Sequence, residues 1–318
     1  MLMPRVVWMS LVTMMILGTG GVFGQDYPNK PIRIFTSPVG GGSDFISRLI
    51  AQAISGPLRQ PVIVDNRGGP IAAEIVSKAP PDGYSLLLNA GTWYISSLLR
   101  DTPYDPVRDF SSITITSSTS NVLVVHPSLP VKSVKELIAL AKARPGELNN
   151  GSSGVGGPTS HLAGELFKSM AGVKIVHVPY KGSAASVTAL LGGEVQLLFT
   201  DANPVQPHLK TGRLRALAIT AAQPSVLFPG LPTIAAALPG YEAISLTGVF
   251  APAKTPAAII NRLNQEIVRV LRTAEAKEQF FKTGSDVVGS SPEELAGWIK
   301  ADMARWDKVI KDAGIRTD

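Results

Sequence analysis

Residues 31–54 decide the fold of this chain, and they read PIRIFTSPVGGGSDFISRLIAQAI. Residues 31–35 are rich in strand-forming side chains, and a glycine-rich turn follows at 38–42. Apolar residues then recur at helical spacing behind Ser43 or Asp44, either of which can cap the helix. A strand, a glycine turn and an amphipathic helix in this order predict an α/β fold.

The second half of the chain repeats this arrangement at residues 149–171, which read NNGSSGVGGPTSHLAGELFKSMA. A glycine and serine loop at 149–158 leads into an apolar helix at 161–171. In open α/β sheets, ligands bind outside the carboxyl ends of the strands, where such loops lie. Two units of this kind therefore predict two lobes that face one cleft.

The remaining segments also alternate between strand and helix patterns, with short connections. Predicted strands lie at 61–64, 84–88, 121–125, 174–178, 195–199 and 214–219. Predicted helices lie at 71–78, 134–143, 184–191, 204–210 and 257–272, and a last one follows the capping box that begins at Ser291. This alternation predicts a mostly parallel sheet flanked by helices in each lobe.

The amino terminus has the pattern of an export signal. Arg5 is followed by an apolar run at 6–17, glycines accumulate up to Gly24, and no further charge occurs before Asp26. A transmembrane anchor is the alternative, but it needs roughly 20 predominantly apolar residues. We therefore expect residues 1–24 to be a cleaved signal peptide.

The composition narrows the classes of protein. The chain has no cysteine, which excludes disulfides and cysteine-based metal sites. Its 45% hydrophobic and 17% charged residues are typical of a folded globular protein. The net charge is +6, but no two basic residues are adjacent, so no tract suits a nucleic-acid backbone.

Both glycine-rich loops suit the binding of an anion. A helix amino terminus has backbone N–H groups without internal partners, and its dipole favours negative charge. Glycine lets the backbone approach a ligand closely. The alternative is that each loop is only a tight strand-to-helix connection.

Fingerprints of cofactor sites and of hydrolases are absent. The sequence lacks G-x-G-x-x-G, the phosphate-binding G-x-x-x-x-G-K-[ST] and the nucleophile motif G-x-S-x-G. The four histidines form no pair at i, i+4, and we expect none to have a carboxylate at metal-ligand spacing. We therefore predict no cofactor, no metal site and no catalytic residue.

Other side chains are candidates for contacts with a ligand in the cleft. His161 begins the second helix, where it either touches a ligand or has a structural role. Asp201 follows an apolar strand and either orients a ligand amine or hydroxyl or caps the next helix. Trp93 and Tyr94 follow another strand and suit either a cleft wall or the core.

An ordered series of motifs resembles a known family, the substrate-binding proteins of tripartite tricarboxylate transporters, also called the Bug family of the bacterial periplasm. The matching stretches are 27–33 (YPNKPIR), 40–44 (GGGSD), 81–84 (PDGY), 103–110 (PYDPVRDF), 160–165 (SHLAGE) and 178–182 (VPYKG). They extend over almost the whole mature chain. The order of these motifs is more specific than any one of them.

The resemblance implies a periplasmic, Venus-flytrap binding protein (type II-like) that holds a small carboxylate and docks to a membrane permease. The lobes expected are 26–122 with 249–318, and 123–248, in a monomer. The residues expected to bind or line the ligand are Gly41, Gly42, Ser43, Asp44, Thr92, Trp93, Gly156, Thr159, Ser160, His161, Tyr180 and Asp201. Two alternatives are a periplasmic sensor partner and a Ser/His hydrolase.

Three stretches depart from the family pattern. They are the first-loop residues 36–39 (TSPV), the shorter loop 68–71 (GGPI) and the pair Trp93–Tyr94, which replaces a run that is usually small or contains histidine. Each departure falls on or near the expected cleft. The ligand of a relative therefore does not transfer to this chain.

Overall fold

The computed structural model describes residues 27–154 and 159–315. The expected signal peptide and Gly156 lie outside these ranges, and both stay predictions. Within the described ranges, no helix combines the length and the apolarity needed to cross a membrane.

Strands and helices alternate along the described part of the chain, as the sequence predicts. The strands are β1 (Ile32–Thr36), β2 (Val62–Asn66), β3 (Ser85–Ala90), β4 (Phe110–Ser120), β5 (Val122–Val125), β6 (Asn149–Ser152), β7 (Val176–Pro179), β8 (Leu197–Thr200), β9 (Arg215–Ile219), β10 (Ile244–Pro252) and β11 (Asp286–Val287). The helices are α1 (Gly42–Leu58), α2 (Gly69–Ser77), α3 (Thr92–Leu99), α4 (Val134–Ala143), α5 (Thr159–Ala171), α6 (Ser183–Leu191), α7 (Ala202–Lys210), α8 (Ala257–Leu271), α9 (Ala274–Lys282) and α10 (Pro292–Ala313).

The first sheet has the strand order β11-β4-β10-β3-β1-β2. Strand β1 is parallel to β2 and to β3, whereas β10 runs antiparallel between β3 and β4. The carboxyl ends of β1, β2, β3 and β4 therefore lie at one edge of the sheet. The loops that precede α1, α2 and α3 all leave from this edge.

The second sheet has the order β7-β6-β8-β5-β9. Strand β6 is parallel to β7 and β8, and β5 is antiparallel to β8 and β9. Only Asn121 separates the end of β4 from the start of β5, so the carboxyl edges of the two sheets adjoin. The two-lobed α/β fold is thus confirmed, but both sheets are mixed. Strands β5 and β10 enter their sheets from the other lobe. Each therefore begins at the carboxyl edge and is antiparallel to its neighbours.

The two lobes are joined where the chain crosses between the sheets. The N–H of Asn121 donates to Oγ1 of Thr220 over 2.8 Å, and the N–H of Thr220 donates to the carbonyl of Asn121 over 2.9 Å. Both residues are buried. Strand β5 of the second sheet begins at Val122, before the lobe boundary that was expected between residues 122 and 123. Strand β10 of the first sheet begins at Ile244, before the boundary that was expected between residues 248 and 249. The extent of the lobes otherwise stays a prediction.

Helix α10 packs against both lobes. It contacts β4 and α3 on the first lobe and α5 on the second. Its Trp306 is fully buried in an apolar cluster that includes Leu87 of β3 and Leu123 of β5. The hydroxyl of Tyr94 donates to Oδ2 of Asp302 on α10 over 2.8 Å. One continuous core therefore links the sheets behind the cleft.

Several elements were not predicted from the sequence. Strand β4 reads FSSITITSSTS, and its many hydroxyl groups hide the apolar pattern of a central strand. Some of these groups are satisfied by other segments, and Oγ1 of Thr116 donates to the carbonyl of Thr247 over 3.0 Å. Residues 149–152 form strand β6 where a loop was expected. The sequence reading also missed β10, α3 and α9.

Candidate functional site

The first loop, residues 37–42, joins β1 to α1 at the carboxyl edge of the first sheet. The N–H of Gly41 donates to the carbonyl of Pro38 over 3.3 Å, which closes a tight turn. Gly40 has a φ of 86°, a left-handed conformation that glycine adopts without strain. The turn directs the amino terminus of α1 towards the adjoining edge of the second sheet.

Asp44 holds the first loop from behind and was predicted as a ligand-binding residue. Its buried carboxylate accepts the N–H of Gly40 over 2.9 Å, Nε of Arg48 over 2.9 Å and Nδ2 of Asn66 over 2.8 Å. Burial raises the pKa of Asp44, but these donors together outweigh burial and lower it. The carboxylate is engaged within the protein, which makes Asp44 a residue that positions the loop.

The start of α1 presents donors to the cleft. The first intrahelical bond runs from the N–H of Phe45 to the carbonyl of Gly41, and no acceptor among the described residues receives the N–H of Gly42, Ser43 or Asp44. Thr92 is exposed at the start of α3, at the same edge. This edge can therefore donate several hydrogen bonds to an anion.

The second loop, residues 152–160, is described at 152–154 and 159–160. Oγ of Ser160 lies 3.0 Å from Oγ of Ser153 and also accepts the N–H of Ser153 over 3.4 Å. Oγ of Ser152 donates to the carbonyl of Gly154 over 2.6 Å. Side chains on both ends of the loop thus fix its backbone, while Thr159 is partly exposed beside them.

His177 supports the second loop from strand β7. Its Nε2 lies 2.6 Å from Oγ of Ser152. The single hydroxyl proton of Ser152 is used at Gly154, so Nε2 of His177 carries the proton and donates. Burial, with the neighbouring His161, lowers the pKa of His177 to about 4, and the imidazole is neutral at physiological pH.

His161, Glu165 and His177 form a compact group behind the loop, in which His161 and Glu165 are buried and His177 is half-buried, and their ligand atoms lie within 4.8 Å of one another. The expectation that no histidine has a carboxylate at ligand spacing is wrong, because Glu165 follows His161 by one helical turn. The imidazole rings of His161 and His177 are stacked, with centroids 3.8 Å apart and planes at 14°. Lone pairs in parallel planes do not converge on one ion.

A side-chain cation already neutralises this group. Nζ of Lys168 lies 2.7 Å from Oε1 of Glu165, and Nε2 of His161 lies 3.4 Å from the same oxygen. Burial raises the pKa of Glu165, but these partners outweigh burial and lower it. The arrangement is that of a hydrogen-bonded support for the second loop, and the absence of a metal stays a prediction.

Two predicted ligand contacts lie elsewhere. Trp93 is 1% exposed and packs among Tyr104, Phe110 and Phe250, with ring centroids 4.8–5.8 Å away. It is a core residue because α3 turns its ring away from the sheet edge. The backbone of Tyr180 adjoins the second loop, since its N–H donates to the carbonyl of Ser152 over 2.9 Å, but its phenol is directed towards Glu194, 3.5 Å away and before β8.

Of the other predicted residues, the structure brings Gly41, Gly42, Ser43 and Thr92 to the first edge, and Thr159, Ser160 and Asp201 to the second. His161 lies just behind the second loop, whereas Gly156 is outside the described residues. Sequence reasoning missed Asn66, Ser152, Glu165 and His177. The spacing of His161 and Glu165 was a visible signal, whereas the others are brought in by strand pairing.

A two-lobed α/β fold with donor-rich loops on adjoining edges defines a solute-binding protein. Residues 46–315 match the Tripartite tricarboxylate transporter family receptor, and the chain belongs to this family. The resemblance found in the sequence is thereby confirmed. The members of this family are periplasmic binding receptors and not enzymes, so the prediction that the chain is not an enzyme is confirmed and the hydrolase alternative is not supported.

Similar proteins cover nearly the whole chain. BugT of Bordetella pertussis is 35% identical over 303 residues, which are 93% of this chain and 93% of BugT. The structure of R. palustris Rpa4515 with adipate is 38% identical, with a TM-score of 0.73 over 92% of this chain and 99% of that one. MatC from Rhodopseudomonas palustris with bound malate is 26% identical, with a TM-score of 0.69 over 89% and 100%.

Proposed function

We propose that this protein captures a small carboxylate between its two lobes in the periplasm and delivers it to a tripartite tricarboxylate-type membrane permease. One observation carries the proposal. The N–H groups of Gly42, Ser43 and Asp44 begin a helix at the cleft edge without acceptors among the described residues. The serine-rich second loop lies on the adjoining edge, so a ligand between them contacts both lobes.

The number of donors is sufficient for useful affinity. A charge-assisted hydrogen bond contributes about 1.5–3 kcal/mol net, and micromolar binding needs about 8 kcal/mol. Three N–H groups of α1, the hydroxyl of Ser43 and donors of the second loop therefore reach this range before ordering costs. Closure of the lobes follows because the full set of contacts forms only when both lobes engage the ligand.

The class of ligand is inferred from the site and from relatives. Adipate and malate, found with Rpa4515 and MatC, are both small carboxylates. The departures at residues 36–39 and 68–71 lie at the first loop and at the start of α2, so we expect them to alter the surroundings of the ligand. We infer a mono- or dicarboxylate or an aromatic acid.

Delivery to a permease rests on family membership. We infer that the chain is exported by its amino-terminal signal and acts as a monomer. A pull-down with membrane fractions, with and without ligand, separates transport from the sensor alternative. Capture of permease subunits supports transport, and capture of a signalling receptor in their place contradicts it.

Native mass spectrometry of the protein as purified tests the proposal directly, because a tight ligand co-purifies. A thermal-unfolding screen with a broad panel of carboxylates complements it. A true ligand at a hundredfold excess over its Kd stabilises the protein by about 2.7 kcal/mol. A carboxylate in the mass spectrum or a shift in the screen supports carboxylate capture. No co-purified acid and no stabilisation by any member of the panel contradict it.

A further inference from the structure

Asp201 lies beside the second loop, at the carboxyl end of β8. Strands β6 and β8 are parallel, with Asn150 opposite Leu197 and Gly151 opposite Leu198. Both strands run towards the same edge of the sheet, where β6 leads into the second loop and β8 ends immediately before Asp201. Asp201 therefore lies at the same edge of the sheet as the second loop, at the end of the neighbouring strand.

The carboxylate of Asp201 has no hydrogen bond or ion pair with any described residue. It precedes α7, but its side chain makes no capping bond there. Asp201 is an exposed residue, although desolvation by the protein around it raises the pKa of its carboxyl group. By contrast, Asp44 and Glu165, which also lie near the loops, each have a cation within 3 Å.

An uncompensated carboxylate has a definite effect on ligands at this place. It repels an anionic group held by residues 152–154, and no cationic side chain among the described residues pairs with it to offset the repulsion. A ligand avoids this penalty when it carries a hydrogen-bond donor next to its own carboxylate. A hydroxyl group then donates to Asp201, and an ammonium group also neutralises it.

We propose that Asp201 is a specificity-determining residue that selects acids with a hydroxyl or amino group next to the carboxylate over the corresponding unsubstituted acids. The inference rests on the proposed capture of a carboxylate by the two loops. It adds a contact that recognises the substituent at the α carbon. The ligand class is therefore that of hydroxy or amino acids of small size.

Matched pairs of probes test the selection. Isothermal titration at pH 7.5 compares succinate with malate and aspartate, glutarate with 2-hydroxyglutarate, and adipate with 2-aminoadipate. In the native protein the substituted member of a pair that binds should be at least about tenfold tighter, a difference of about 1.4 kcal/mol. In Asp201→Asn this ratio should fall towards one, because the unsubstituted acid binds more tightly and the substituted acid more weakly.

Glu147→Gln is the matched control. It makes the same change of charge in the same lobe, but Glu147 is exposed before β6, at the opposite edge of the sheet. The ratio should not change in this variant. Thermal unfolding of both variants without ligand checks that each is folded.

The outcomes separate this inference from the proposed function. If unsubstituted acids bind as tightly as their partners, or if Asp201→Asn leaves the ratio unchanged, capture of carboxylates stands and selection by Asp201 is wrong. If no acid of any pair binds to the folded protein, selection of small hydroxy or amino acids by Asp201 is wrong, whereas carboxylate capture is decided by the broad panel and the mass spectrum described above.

Discussion

Gly40 and Asp44 are joined by a hydrogen bond of 2.9 Å from the N–H of Gly40 to Oδ2 of Asp44, which ties the glycine loop to the first turn of α1. The same carboxylate is held by Arg48 and Asn66. Because the pKa of Asp44 is lowered in the folded protein, its stabilising contribution is present above the unfolded value of 3.8. It is lost only as the pH falls through the lowered pKa.

Replacement of Asp44 should loosen the first loop. We expect Asp44→Ala to weaken ligand binding about tenfold and to lower the free energy of unfolding by about 1–3 kcal/mol, because three donors lose their shared charged acceptor. Calorimetry with the co-purified ligand and urea unfolding measure the two effects. Asp82→Ala, which removes an ion pair with Lys30 on a distant turn, is the control and should not change affinity. Unchanged affinity in Asp44→Ala would contradict the positioning role.

His177 should act through its hydrogen bond to Ser152. Glutamine can present an N–H donor near the position of Nε2, whereas phenylalanine cannot. We therefore expect His177→Gln to retain affinity within about threefold and His177→Phe to lose about tenfold, in line with one hydrogen bond of about 1 kcal/mol. The matched control is His126→Phe, since the side chain of His126 bonds only to nearby Ser128 among the described residues. Equal losses in the two His177 variants would indicate a packing role alone.

The lowered pKa of His177 has a consequence for stability against pH. The unfolded histidine takes up a proton near pH 6.5, but the folded one does so only near pH 4, with His161, Glu165 and Lys168 facing it. Between these values the unfolded state binds more protons, so the free energy of unfolding should decrease as the pH falls from 6.5 to 4. Urea titrations across this range should show a flatter profile for His177→Gln. An unchanged slope would contradict the shift.

Trp93 should matter for folding and not for ligand selection. Trp93→Ala opens a cavity in the aromatic cluster and should lower the free energy of unfolding by about 3–5 kcal/mol. The milder Trp93→Phe should cost less, since the buried indole N–H has no acceptor among the described residues. Urea unfolding measures stability, and calorimetry on Trp93→Phe measures affinity. A loss of affinity without a loss of stability would indicate instead that Trp93 contacts the ligand.

The glycine loop at Gly40, the capped starts of α4 and α10 and the buried strand that begins at Val122 were predictable, because glycine conformation, capping and apolar spacing act within a few residues. Strand β4 was not predictable in this way. Some of its hydroxyl groups find their partners in segments that are distant in the sequence, as when Oγ1 of Thr116 donates to the carbonyl of Thr247. The burial of Trp93 likewise depends on its packing against Phe110 and Phe250, which are distant in the chain.

The sequence by itself determined the α/β class, the two glycine-rich loops and the family, because each can be inferred from local residue patterns or from the order of motifs. Only the tertiary structure decided which side chains stand at the cleft and which support it. The carboxylates of Asp44 and Asp201 look alike in the sequence. Strand pairing surrounds Asp44 with donors and leaves Asp201 without a partner among the described residues, and charge compensation of this kind arises only when distant segments meet.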